Sequence, residues 1–251
     1  GVISGNVEAL YEIMAILPVV ERMSADLQDI RYGVIDLGGS SMQYAYQLEI
    51  EGEGRTCSSD KDSFFLRSFS GLGLIEGMET LLAVHKDMGN EVNPCVPPDG
   101  VPFNGGVVAG GGDFTACVAL IKKLYLEKML QVSGLTICSP SSHPNIVTGL
   151  DNVPPLLHLL GLAPLEDSSP LSTRALISPK QIADSAESLC AQPWQSLLEE
   201  VAPSFPSYRG HRACYGSALL FVLLEEVVLG KCGQGNSEME KGVSEEQLLL
   251  P

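Results

Sequence analysis

The run Tyr32-Gly33-Val34-Ile35-Asp36-Leu37 ends on Gly38-Gly39, and Ser41 to Ile50 then alternates as Met42, Tyr44, Tyr46 and Leu48. Alternation with period two predicts strands on both sides of a tight glycine bend. Ser63 to Phe69 reads as a third strand after a turn at Glu51-Gly52-Glu53-Gly54. The chain is therefore committed to a sheet that starts as a meander.

Helical spacing surrounds this sheet. Val7, Leu10, Tyr11, Met14 and Leu17 predict a helix over 6–17, with Pro18 interrupting or kinking it. Further helices are expected over 74–88, 114–130, 153–162, 194–201 and 213–229, and one opens at Ser178-Pro179 and runs to about Cys190. There Ser178 serves as N-cap and Pro179 as the first helical residue. Residues 90–112, rich in Pro and Gly, read as loop, and 133–155 as irregular. Residues 1–230 are expected to be the folded part and 231–251 a polar, acidic, mobile tail. The order of helix, strands and then mostly helices indicates an α/β or α+β domain.

Composition narrows the function. The 251 residues are 45% hydrophobic and 18% charged, enough to build a sizeable core. Lys and Arg total 15 against 31 Asp and Glu, a formal charge of −16. That argues against nucleic acid as partner and against anionic lipid, which both need a basic face. It leaves nucleotide substrates open, because a divalent metal can carry phosphate charge into an acidic protein. No run of about 18 apolar residues predicts a membrane span; the best candidate, 218–224, stops at Glu225-Glu226. The start Gly-Val-Ile-Ser-Gly, without Met or a basic region, reads as a processed chain or a piece of a longer one. Seven cysteines suggest an oxidising compartment, and without a Cys-x-x-Cys pair a metal role for them is not expected. The four histidines are scattered and read as bystanders.

The chemistry concentrates at Asp36-Leu37-Gly38-Gly39-Ser40-Ser41-Met42-Gln43. Glycines tolerate positive φ and let a ligand approach the backbone, and successive N–H groups in such a bend can cradle phosphate. Asp36 at the strand end could hold a hydrated divalent cation. Ser40, Ser41 and Gln43 could orient a water. A plain hairpin with a Gly-Gly turn fits the same pattern. Glu8, in Ser4-Gly5-Asn6-Val7-Glu8, is a second candidate, although a carboxylate in a first helical turn is also what the helix dipole favours.

Ile3-Ser4-Gly5-x-x-Glu8-x-x-Tyr11 together with 36–43 resembles two conserved regions of the nucleoside triphosphate diphosphohydrolase, or apyrase, family. Asn93-Pro94-Cys95, Gly112 to Cys117, Leu189-Cys190-Ala191-Gln192-Pro193-Trp194 and Cys214-Tyr215-Gly216-Ser217 follow in that family's order. The resemblance spans about 1–230 and implies the actin-like, ribonuclease H-like fold, of which this chain would be the C-terminal lobe and closing segments. It implies hydrolysis of nucleoside tri- or diphosphates by in-line attack of water, with Ca²⁺ or Mg²⁺. By the same resemblance Glu8 is the general base and Asp36 the metal-linked aspartate. Gly38, Gly39 and Ser40 bind phosphate, and Ser41 and Gln43 position the water and the metal's shell. Tyr215 falls near the base, or is simply core. Cys95–Cys117 and Cys190–Cys214 are implied disulfides; Cys57, Cys138 and Cys232 have no evident partner, and a secreted or lumenal location follows.

Departures are Ala9 for a family glycine, Met42 for a small polar residue and Leu219 where many members carry an aromatic. The family's upstream phosphate loop is absent, so the missing N-terminal half becomes an expected partner. Two alternatives stand beside this reading. One is another actin-like phosphate-transfer protein such as an exopolyphosphatase, against which the cysteine segments speak; the other is a silent nucleotide-binding or structural remnant.

Overall fold

A computed structural model describes residues 3–23, 32–47, 64–103, 106–126, 146–163, 176–193, 195–196, 211–228 and 247–249. The expected hairpin, its third strand and most of the expected helices lie within them. Cys57, Cys138, Cys232, Trp194 and most of the helix expected over 194–201 lie outside, as does most of the segment read as tail.

Helix α1 (Gly5–Met23) continues through Pro18. Strands β1 (Tyr32–Leu37), β2 (Ser41–Gln47) and β3 (Phe64–Ser70) form the expected antiparallel meander, with Asp36 opposite Gln43 and Gln43 opposite Ser68. Helix α2 (Glu76–Asp87) follows. The segment read as loop contains β4 (Val92–Asn93), β5 (Val101–Phe103) and β6 (Gly106–Gly110), a small sheet of order β4-β6-β5. These strands are short and glycine-flanked, so they carry no periodicity to read. Helix α3 (Phe114–Ile121) begins at Asp113, whose side chain accepts from Ala116 N.

Strand β7 (Ile146–Asp151) lies in the segment read as irregular. It pairs with β1 in parallel over its whole length, from Tyr32 opposite Ile146 to Leu37 opposite Asp151. Then come α4 (Val153–Leu159), β8 (Leu176–Ile177), α5 (Pro179–Cys190), α6 (Ala213–Val222) and β9 (Gln247–Leu249). Ser178 and Gln181 cap α5 reciprocally, as the Ser-Pro start predicts. Strand β9 inserts between β7 and β8, so three residues of the segment read as a mobile tail belong to the sheet. The main sheet has the order β3-β2-β1-β7-β9-β8: β3, β2 and β1 are antiparallel neighbours, β7 and β9 add in parallel to β1, and the edge strand β8 runs antiparallel to β9.

Strand alternation divides the core in two. Ile35, Leu37, Met42, Tyr44, Tyr46, Phe65 and Phe69 face the layer containing α3, α5 and α6. Tyr32, Val34, Ala45 and Phe64 face α1, against Ala9, Ile13 and Leu17. The same alternation puts Asp36, Ser41, Gln43 and Ser68 on the α1 face. This face is apolar along most of α1 and polar where α1 begins.

Two disulfides fasten the helical layer. Cys95 is joined to Cys117, tying the loop after β4 to α3, and Cys190 to Cys214, tying the end of α5 to the start of α6. These are the two pairs that the resemblance implies.

Candidate functional site

Helix α1 lies close on the sheet because residue 5 has no side chain: a Cβ on Gly5 would run into Ser68 of β3. The Val7 and Glu8 N–H groups donate to Ser4 O at 2.9 and 3.0 Å and start the helix there. That register lowers Glu8 onto β2, where Gln43 Nε2 donates to Glu8 Oε2 at 2.8 Å and to Ser41 Oγ at 2.9 Å. Residues 35 positions apart in sequence thus meet within one hydrogen bond of the bend.

The bend is held from behind. Leu74 N donates to Gly38 O and Ile75 N to Gly39 O, both at 2.8 Å, and Gly71 N donates to Ser40 O at 2.9 Å. Loop 71–75 reaches this close only because residue 73 is glycine: a Cβ there would lie 2.5 Å from the Gly39 carbonyl carbon and oxygen. The carbonyls of 38–40 are therefore turned towards α2. The N–H groups of Gly38, Gly39 and Ser40 make no backbone hydrogen bond among the described residues, which leaves them for an anion. Neither Gly38 nor Gly39 has a positive φ. Their small size gives access, and the conformational reason expected from the sequence does not apply.

Four carboxylates surround this point. Glu12, one turn after Glu8, makes a hydrogen bond with Asp36. Burial first, then the Asp36 charge, that hydrogen bond and the Glu8 and Asp151 charges push Glu12 up to about 8. Asp36 is also raised, first by burial and then by Asp151 and Glu8, while the hydrogen bond from Glu12 opposes the rise. Without a cation, the pair therefore keeps a proton. Asp36 Oδ1, Glu12 Oε2 and Gln43 Oε1 are buried without hydrogen-bond partners, although Gln43 is only 1% exposed.

This donor set suits Mg²⁺ or Ca²⁺, hard cations that take oxygen ligands. Among the described residues no group of three or more acidic, histidine or cysteine side chains is placed to hold a metal ion.

The sequence-derived residues Glu8, Asp36, Gly38, Gly39, Ser40, Ser41 and Gln43 are thus brought together. Tyr215 is not among them. It is 0% exposed, and its hydroxyl is buried behind α2, where a Cβ on Gly77 would collide with it. Burial, with Tyr125 beside it, raises it well above the usual tyrosine value. It is a core side chain with no face for a base, and Leu219 is equally buried. Sequence reasoning missed Glu12, although its i+4 spacing from Glu8 puts both on one helix face. It also missed Asp151, which needed β7 to be recognised first.

No protein-family profile matches the chain, and no curated protein sequence matches it. Solved structures do. A Ppx/GppA phosphatase of Aquifex aeolicus, a type II variant, matches with a TM-score of 0.54 and 14% identity, over 99% of this chain and 60% of that one. A second Aquifex aeolicus structure from the same family gives 0.55 and 13%, over 99% and 58%. An exopolyphosphatase-like protein gives 0.53 and 16%, over 89% and 58%. The chain spans about three fifths of the length of these structures. The fold is therefore the α/β, actin-like fold of these phosphatases. No helix among the described residues is long and apolar enough to cross a membrane.

Proposed function

We propose that this chain hydrolyses phosphoanhydrides, with nucleoside tri- and diphosphates as substrates, as part of the apyrase-like chemistry that its motifs resemble. The observation that carries this is the Glu8 carboxylate, held by Gln43 at 2.8 Å beside a bend with unpaired N–H groups. The terminal phosphate sits on the N–H groups of Gly38, Gly39 and Ser40. Glu8 takes a proton from the attacking water. Gln43 fixes the carboxylate, and Ser41, accepting from Gln43, offers its hydroxyl hydrogen to the same water. Asp36 faces the cation side. When bound, Mg²⁺ or Ca²⁺ neutralises the phosphate oxygens and the crowded carboxylates.

A second reading, polyphosphate as substrate, is favoured by the burial of Tyr215, which removes the expected base platform, and by what the neighbouring structures are called. The two disulfides support a secreted or lumenal protein. The reading also holds that full turnover needs an upstream half of the fold, with residues 1–230 as one lobe.

The test is phosphate release from ATP, ADP and tripolyphosphate with Mg²⁺ or Ca²⁺, by this chain and by an upstream-extended form. Metal-dependent release from ATP or ADP supports the first reading, and release from tripolyphosphate alone supports the second. No release from any substrate by the extended form leaves a silent remnant and overturns both.

A further inference from the structure

Asp151 is the one non-glycine among the described residues with a positive φ, 51°. Its position explains why that matters. In register it lies opposite Leu37, and Leu37 is 1% exposed and packs in the large core. Regular alternation would send the Asp151 side chain into that core as well, on the same face as Val147, four residues earlier. The left-handed turn takes it out instead. Asp151 is exposed, and its Oδ2 lies 4.0 Å from where Gly38 would carry a Cβ.

Asn152 fixes this arrangement. Its Nδ2 donates to Leu37 O at 2.7 Å and to Asp151 Oδ2 at 3.0 Å. The end of β7 is thereby stapled to β1 immediately before the bend. The carboxylate is close enough for its charge to bear on both Asp36 and Glu12. A strained residue held beside a site is the place to look for a functional constraint. Here the constraint brings a fourth carboxylate to an already acidic point, which costs stability unless a proton or a cation offsets its charge. Independently, Gln43 Oε1 and Asp36 Oδ1 in the same cluster are buried acceptors with no hydrogen-bond partner, as ligand oxygens for a cation would be.

We propose that Asp151 is a second anchoring carboxylate for the hydrated divalent cation, gripping it from the end of β7 while Asp36 grips it from the end of β1. This rests on the reading of the site given above. The two carboxylates act through the cation's waters, as expected for a metal that retains most of its shell. Asp151 is thus a positioning residue and does not touch the reacting atoms.

The test is calorimetric titration of Mg²⁺ into the protein saturated with imidodiphosphate, a phosphoanhydride mimic that is not hydrolysed. Wild type is compared with Asp151→Asn, Asp151→Gly and Asp36→Asn. Asparagine tolerates the left-handed conformation and keeps an amide for hydrogen bonding, and glycine relieves the strain entirely. Both variants should keep the cation-free unfolding temperature at or above the wild-type value. Both should weaken Mg²⁺ about 10-fold, the usual size of an outer-shell loss.

Wild-type Mg²⁺ affinity in both Asp151 variants, with a loss in Asp36→Asn, overturns the proposal and leaves the proposed hydrolysis standing. A lower cation-free unfolding temperature with unchanged affinity shows a purely structural residue and overturns it too. Absence of Mg²⁺ binding by wild type overturns the cation site altogether. Asp151-dependent Mg²⁺ binding without any phosphate release would keep this proposal and sink the proposed function.

Discussion

The helical layer and the bend region have been built to opposite rules. Around α3, α5 and α6 the interior is apolar and two disulfides close loops across it. Its buried hydroxyl groups are sparse: Tyr125 donates to Gly77 O at 2.6 Å and Ser217 to Ala213 O at 2.7 Å, and the Tyr215 hydroxyl has no partner. At the start of α1, by contrast, Glu8, Glu12, Asp36 and Asp151 crowd together, and three buried polar atoms lack partners. Apolar residues of similar size would make this second region more stable. Natural chains keep such arrangements mainly where a ligand completes them. The contrast supports the proposed site.

The largest effect that sharpens this contrast should come from the stable side. Replacing Cys190 and Cys214 by serine releases a closed loop with a sequence separation of 24. By the chain-entropy account this costs about 3 kcal/mol. Denaturant unfolding should show that loss, while Mg²⁺ affinity of the remaining folded protein stays at the wild-type level. A loss of affinity larger than the loss of stability would mean that the two regions are not separate.

Gly73→Ala should produce a smaller loss of stability but damage function. Its Cβ would meet the Gly39 carbonyl at 2.5 Å, with no flexible side chain to yield. Overpacking of this kind costs about 1–3 kcal/mol. The displaced bend should lower phosphate release more than 10-fold, which a steady-state assay at a temperature well below unfolding would detect. Gly39→Ala is the milder counterpart, since its Cβ would only touch Ile75 Cδ1 at 3.4 Å.

The smallest effect concerns pH. Burial, then the neighbouring Asp36, pushes Glu12 up to about 8 from its ordinary value of 4.5. A raised folded value means that the fold binds the proton more tightly than the unfolded chain does. The associated stability is present below pH 4.5 and is lost as pH rises towards 8. The cation-free unfolding temperature should therefore decline over that window, and Glu12→Gln should flatten the decline. A rise over the same window would show that Glu12 is ionised in the folded protein.

The meander, α1 and the α5 cap were legible because their signals are local: strict alternation, helical spacing and a Ser-Pro-Lys-Gln start. Glu8 and Gln43 were legible as motif residues, and their meeting depends on Gly5, whose reason is a contact 63 residues away with Ser68. Strand β7 was not legible, because Ile146-Val147-Thr148-Gly149 is short and buried between two neighbouring strands. Asp151 was lost with it. Strand β9 was hidden by the polar residues before it, and Tyr215 sits in a segment whose buried and ligand-facing positions read alike in one dimension. Whatever required long-range parallel pairing escaped, and the last part of the site lay on such a pair.

The central claim is that Glu8 is the base for water attack at the bend. It is tested most directly by Glu8→Gln, which keeps the shape and the approach to Gln43 but cannot accept the proton. The account predicts that metal-dependent phosphate release falls by about 10²–10⁴-fold while the unfolding temperature and Mg²⁺ affinity stay near wild type. Release at the wild-type rate by a folded Glu8→Gln protein would contradict it.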